Sequence, residues 1–72
     1  MRKQKFEQKA KELLQKYKYF VVHTPFLTIN ANGYKIENDE LLYLFWDSNE
    51  IAKIYLYDVD KVGIKVGKNG WL

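Results

Sequence analysis

The chain has 72 residues, 12 Lys and Arg against 9 Asp and Glu, no cysteine, and aromatic side chains at 17% of positions. That length implies one domain whose apolar burial only just offsets lost chain entropy, and the missing thiols exclude disulfides and thiolate metal sites, which fits a reducing, cytoplasmic setting. The positive charge is uneven: residues 1 to 18 carry seven basic side chains against Glu7 and Glu12, whereas the remainder is mildly acidic.

The opening Met1-Arg2-Lys3-Gln4-Lys5 has the charge of a signal-peptide leader without the apolar stretch that follows one, so export is not expected. Phe6, Ala10, Leu13, Leu14 and Tyr17 then recur at the spacing of one helical stripe, which predicts an amphipathic helix over about residues 3 to 18. Glu7 with Lys11 and Glu12 with Lys16 are i,i+4 pairs in the favourable order. Tyr19 to Val22 is aromatic and β-branched, and Pro25 biases Thr24 to extended backbone, so the helix gives way to a strand at about 19–23.

Leu27, Ile29 and Ala31 alternate with Thr28 and Asn30, predicting a strand at about 26–31. Asn32-Gly33 carries the residue types of a type I′ hairpin turn into a strand at 34–37, with Ala31 opposite Tyr34 and Ile29 opposite Ile36. A polar connector, Glu37 to Glu40, leads to a strand at 40–46. Its apolar run, Leu41 to Trp46, is far shorter than the roughly 20 residues that span a bilayer. Asp47 to Glu50 turns the chain into a strand at 51–57. Pairing through that turn puts Leu41, Tyr43, Phe45, Ala52, Ile54 and Leu56 on one face, and Leu42, Leu44, Trp46, Ile51, Lys53, Tyr55 and Tyr57 on the other. A half-exposed strand at 61–66 and a flexible tail, Gly67 to Gly70, precede Trp71-Leu72. The reading is α+β: an N-terminal helix packed on an antiparallel meander of four or five strands.

The chemistry of catalysis is thin. The single serine, Ser48, falls in a turn and the single histidine, His23, at a strand end, so no nucleophile and base share a motif. Asp58-x-Asp60 begins like a calcium loop but has Val62 and Asn69 at later ligand positions. Gly63 to Asn69 is one residue short of a phosphate loop and lacks the hydroxyl after its lysine. The remaining carboxylates sit in solvated turns. No enzyme activity, cofactor or metal is expected.

Two features point to binding. One is the aromatic load: a helix covers only one face of a sheet, so Trp46, Tyr55, Tyr57, Trp71, Leu44 and Lys53 are the candidate protein-binding face, open to a partner or to a second copy in a homo-oligomer. The other is the helix, where Lys5, Lys9 and Lys16 share one flank and offer a salt-dependent nucleic-acid contact. A compact, cysteine-free chain rich in Lys, Asn and Tyr also resembles the small accessory proteins of phages and other mobile elements. That resemblance implies a non-enzymatic inhibitor that occupies the surface of a larger host defence or nucleic-acid enzyme.

Overall fold

The computed structural model describes residues 1–67 and 70–72. The expected α+β arrangement is present: α1, Lys3–Tyr17, is followed by short antiparallel strands. Phe6, Ala10 and Leu13 form the buried stripe of α1, with Leu14 half-buried beside it and Tyr17 exposed. The helix ends at Lys18, which adopts the left-handed conformation at φ 71° and donates its N–H to Leu14 O at 3.1 Å. That bond satisfies one of the carbonyls a helix end leaves open, but with a lysine where glycine is the easier residue.

The strands are β1 Phe20–His23, β2 Thr28–Ala31, β3 Gly33–Glu37, β4 Leu41–Trp46, β5 Asn49–Tyr55, β6 Lys61–Gly63, β7 Lys65–Val66 and β8 Gly70–Trp71, with a 3₁₀ turn at Leu56–Asp58 between β5 and β6. They form two three-stranded sheets, ordered β2-β1-β6 and β3-β4-β5, and a two-stranded β7-β8 ribbon. A single meander is therefore replaced by two small sheets, because β6 returns to pair with β1 instead of continuing beside β5.

The Asn32-Gly33 hairpin does not form. Ala31 pairs with Phe20 and Ile29 with Val22, while Tyr34 pairs with Leu44 and Ile36 with Leu42. Neither Asn32 nor Gly33 has positive φ. The chain bends at Asn32 and passes from one sheet into the other, a corner of the kind that lets a strand switch sheets. Tertiary bonds decide this. Asn32 N–H donates to Phe45 O at 2.9 Å, its side-chain Nδ2 donates to Asp47 Oδ1 at 2.9 Å, and Asp47 N–H donates back to Asn32 Oδ1 at 2.9 Å. A Cβ at Gly33 would meet Phe45 Cβ at 3.4 Å, an ordinary packing distance, so glycine is not demanded by space at this corner.

The tight turns lie where no glycine marks them. Asn38 and Asp39 have φ of 55° and 58°, and Asp47 and Ser48 have 49° and 71°. Asn38 and Asp39 open a three-residue turn from β3 to β4, and Asp47 and Ser48 make a two-residue turn from β4 to β5, because short polar side chains tolerate the left-handed region better than most. The shorter second turn, with a β-bulge opposite Leu44 and Phe45, sets Leu42 against Ile54, Leu44 against Ala52 and Tyr43 against Lys53. That is one residue away from the expected register, and a one-residue slip exchanges the faces of β5. Ala52 and Ile54 therefore turn inward with Leu42 and Leu44, whereas Lys53 and Tyr55 turn outward with Leu41 and Tyr43.

A single cluster joins these layers. Phe6, Ala10 and Leu13 of α1 meet Phe20 and Val22 of β1, Leu42 and Leu44 of β4, and Leu56, Val59, Val62 and Ile64. Phe6, Phe20 and Tyr34 meet edge to face at centroid distances of 5.3 to 6.3 Å, a geometry that contributes about 0.5–1.5 kcal/mol per pair beyond burial. The Thr24-Pro25-Phe26-Leu27 turn closing β1 to β2 is held by Thr24: its hydroxyl accepts from Phe26 N–H at 3.2 Å and Leu27 N–H at 3.0 Å and donates to Leu27 O at 3.0 Å.

The end of the chain folds back on the first sheet. Trp71 pairs with Lys65, Leu72 N–H donates to Ile64 O at 2.8 Å, and the Trp71 ring lies 5.9 Å from His23 and 5.2 Å below the Lys61 ammonium. Gly63 allows this approach, since a Cβ there would collide with Leu72 O and crowd the Trp71 ring. Lys68 and Asn69 of the expected flexible tail lie outside the described residues.

Candidate functional site

Helix and core occupy one side of the β3-β4-β5 sheet and leave the other side open. Strand pairing sets three rows across that open face: Gly33, Phe45 and Glu50; Lys35, Tyr43 and Lys53; Glu37, Leu41 and Tyr55. In the middle row the Lys35 and Lys53 ammonium groups approach the Tyr43 ring at 5.6 and 5.5 Å. Each such contact contributes about 0.5–1 kcal/mol at an exposed site. Tyr43 Oη donates to Glu37 Oε1 at 3.3 Å, which fixes the ring in its plane between the lysines. At the end of the face Tyr55 stacks on Tyr57, with centroids 5.2 Å apart and planes 18° from parallel. Tyr57 is 71% exposed and Tyr55 47%.

The six residues assigned from sequence to one face are thus divided. Tyr55, Tyr57 and Lys53 belong to the open face. Leu44 does not: it is fully buried in the core, because the register slip puts it opposite inward-facing Ala52. Trp46 follows Phe45 on β4 and so projects to the helix side of the sheet, at a 41% exposed margin beyond the core. Trp71 belongs to the other sheet, beside His23 and Lys61. Lys35, Tyr43 and Phe45 were not assigned to the face from sequence. Their signal was present in the strict alternation of β4, but the expected register placed Lys53 and Tyr55 on the wrong side of it.

The three helix lysines also separate. Lys5 and Lys9 line an open groove of about 350 Å³ between α1 and β6, together with Gln8, Glu12, Asp60 and Lys61. Lys16 instead bridges Glu12 at 3.7 Å, one helical turn away, and Lys3 bridges Asp39 at 3.3 Å. Phe26, at the tip of the Thr24 turn, is 80% exposed and is a further apolar contact that periodicity does not single out.

Among the described residues, no catalytic cluster gathers around His23 or Ser48. His23 Nδ1 lies 3.2 Å from Thr28 Oγ1 across the β1-β2 pair, a structural contact, and Ser48 sits in the turn between β4 and β5. Among the described residues no three His, Cys, Asp or Glu side chains come together as a metal site. One ionisable group stands out, on the inner face: burial, the nearby Glu7 charge and the bond from Tyr34 Oη to Glu7 at 3.4 Å hold the Tyr34 phenol above its ordinary 10.0. Among the described residues no helix is long and apolar enough to cross a membrane. The chain matches no known family, no curated protein and no solved structure.

Proposed function

We propose that this chain is a non-enzymatic binding protein that acts by occupying the surface of a larger protein, and that it presents the open face of the β3-β4-β5 sheet. The observation that carries this reading is the central row, in which Tyr43 is flanked by Lys35 and Lys53 with Tyr55 and Tyr57 exposed beside it. Tyrosine brings large contact area and a polar tip at small entropic cost, and such residues dominate interface energies. Neither lysine is within bridging distance of a carboxylate among the described residues. The complementary surface therefore carries a carboxylate near its centre, ringed by apolar groups. Glu37 and Glu50 at the margin offset the two lysines, so the face as a whole is neutral and unsuited to tracking phosphates.

The test is capture from nuclease-treated lysate of the source cells, comparing the native chain with Tyr43→Ala/Tyr55→Ala and with Lys35→Glu/Lys53→Glu. A stoichiometric protein partner is expected with the native chain and lost with both variants, while far-UV dichroism stays unchanged and melting remains cooperative. A partner retained equally by all three would overturn the assignment of the face. Sedimentation showing a homodimer disrupted by the same variants would overturn the larger partner in favour of a second copy.

A further inference from the structure

Strand β5 forms the outer edge of its sheet, and we infer that this edge takes an extended strand from the partner protein, paired antiparallel and carrying a carboxylate opposite Lys53. The inference rests on the reading of this sheet as a protein-binding surface, and it names what the partner presents. At 7 residues β5 is the longest strand of the fold, with β4 on one side and no described strand on the other. Leu56 N–H donates to Glu40 O at 2.7 Å, and an antiparallel ladder alternates from there. Ile54 and Ala52 thus turn their backbone groups toward β4, whereas Tyr55 and Lys53 turn theirs outward. Those two N–H and two C=O groups have no partner among the described residues.

The side chains at this edge also suit a strand. Ala52 and Ile54 face the core yet are only half-buried, while Leu42 and Leu44 opposite them are fully buried, so the core thins here and one more strand would seal it. At the other edge of the sheet, β3, the inward Tyr34 is already tied to α1 through its ring contact with Phe6 and its bond to Glu7. Lys53 has no carboxylate within bridging distance among the described residues. Opposite charges stabilise a cross-strand pair, so the incoming strand supplies the acid, whereas a second copy centred on Lys53 would set two ammonium groups against each other. Main-chain bonds then give affinity, and alternate side chains give choice. Read in its own direction, the partner strand is aromatic or apolar, apolar, acidic and apolar, opposite Tyr55, Ile54, Lys53 and Ala52 in turn.

The experiment titrates the full chain with the capped peptide Thr-Tyr-Val-Glu-Val-Thr and follows backbone amides by NMR. The Lys53 and Tyr55 amides should shift and exchange their hydrogens more slowly. N-methylation of the peptide glutamate removes the bond to Lys53 O and should weaken binding on the order of tenfold or more. N-methylation of the valine after it, whose N–H points away from β5, should leave binding within about twofold. Tyr55 has φ of −81°, close to the value a proline ring fixes, so Tyr55→Pro deletes the edge N–H without straining the strand and should lose the peptide. Tyr55→Ala, which keeps that N–H, should retain it. Should Tyr55→Pro unfold the chain, the two N-methylated peptides read the same ladder from the other side. No shift at about 1 mM peptide, equal losses from both N-methylations, equal binding by both Tyr55 variants, or self-association that Tyr55→Pro abolishes would each overturn the inference. A peptide bound while no lysate protein is held would sink the tyrosine-face reading alone, and a protein held with no peptide response would sink the edge alone.

Discussion

The two three-stranded sheets share one core but differ in what covers their outer faces. On β2-β1-β6 the outward residues are Asn30, Val21 and Gly63, then Thr28, His23 and Lys61. Trp71 lies across this face and Val21 is left only 5% exposed. On β3-β4-β5 the outward residues include Leu41, Tyr43, Phe45 and Tyr55, and no element of the described chain crosses them. The chain thus spends its one covering segment on the sheet with the smaller outward side chains. The larger aromatics are left at the surface, where their area is available for binding and adds little to the core.

The sharpest way to break this contrast is to truncate one residue on each face of the β3-β4-β5 sheet. Leu44→Ala should cost about 2–5 kcal/mol, as for a fully buried leucine whose cavity cannot collapse. Tyr55→Ala should cost less than about 1 kcal/mol, since it removes only exposed stacking. Urea denaturation of both variants measures the difference. Equal costs would mean that the strand faces are assigned the wrong way round.

That pair also marks how far the sequence could be read. The helix was legible because five apolar residues keep one period, and β1 because aromatic and β-branched residues meet a proline. The faces of β4 were legible as alternation. The partner strand was not, because Asp47-Ser48-Asn49-Glu50 contains both a four-residue loop and a two-residue turn with a bulge, and only packing of Ala52 and Ile54 against the core selects the second. Asn32-Gly33 misleads for a related reason: its local preference for a turn is outweighed by three hydrogen bonds to residues in and after β4. The binding residues inherit these errors, which is why Leu44 entered the candidate face and Tyr43 did not. Lys61 could not have been joined to Lys5 and Lys9 without knowing that β6 returns beside the helix.

The turns of the two sheets sharpen the comparison next. In the first sheet Thr24 satisfies two backbone N–H groups, so Thr24→Ala should cost about 1–3 kcal/mol by leaving partly buried donors unpaired. Gly63→Ala should follow at about 1–2 kcal/mol, limited because the tail can detach rather than strain the core. Its signature is a red shift of Trp71 emission, read in a Trp46→Phe background, and an unshifted spectrum would mean that the indole is not the cover of that sheet. In the second sheet Ser48 holds φ of 71° without glycine, so Ser48→Gly should raise stability by about 1 kcal/mol. A thermal melt that fails to rise would show that the serine side chain supplies an unrecognised bond.

The smallest effect separates the two faces of the second sheet by pH. Tyr34 lies on β3 facing inward, and burial together with Glu7 keeps its phenol protonated above the ordinary 10.0. The unfolded chain loses that proton first, so the contribution of Tyr34 to stability is complete below its ordinary value. It is lost as pH rises through the raised, folded-state value. Tyr34→Phe has no proton to release. Its stability should therefore fall less steeply than that of the native chain above about pH 10, while the lysines, common to both, cancel in the difference. Parallel curves on alkaline titration would mean that the Tyr34 hydroxyl reaches water in the folded state, and that the inner face is less sealed from solvent than its packing implies.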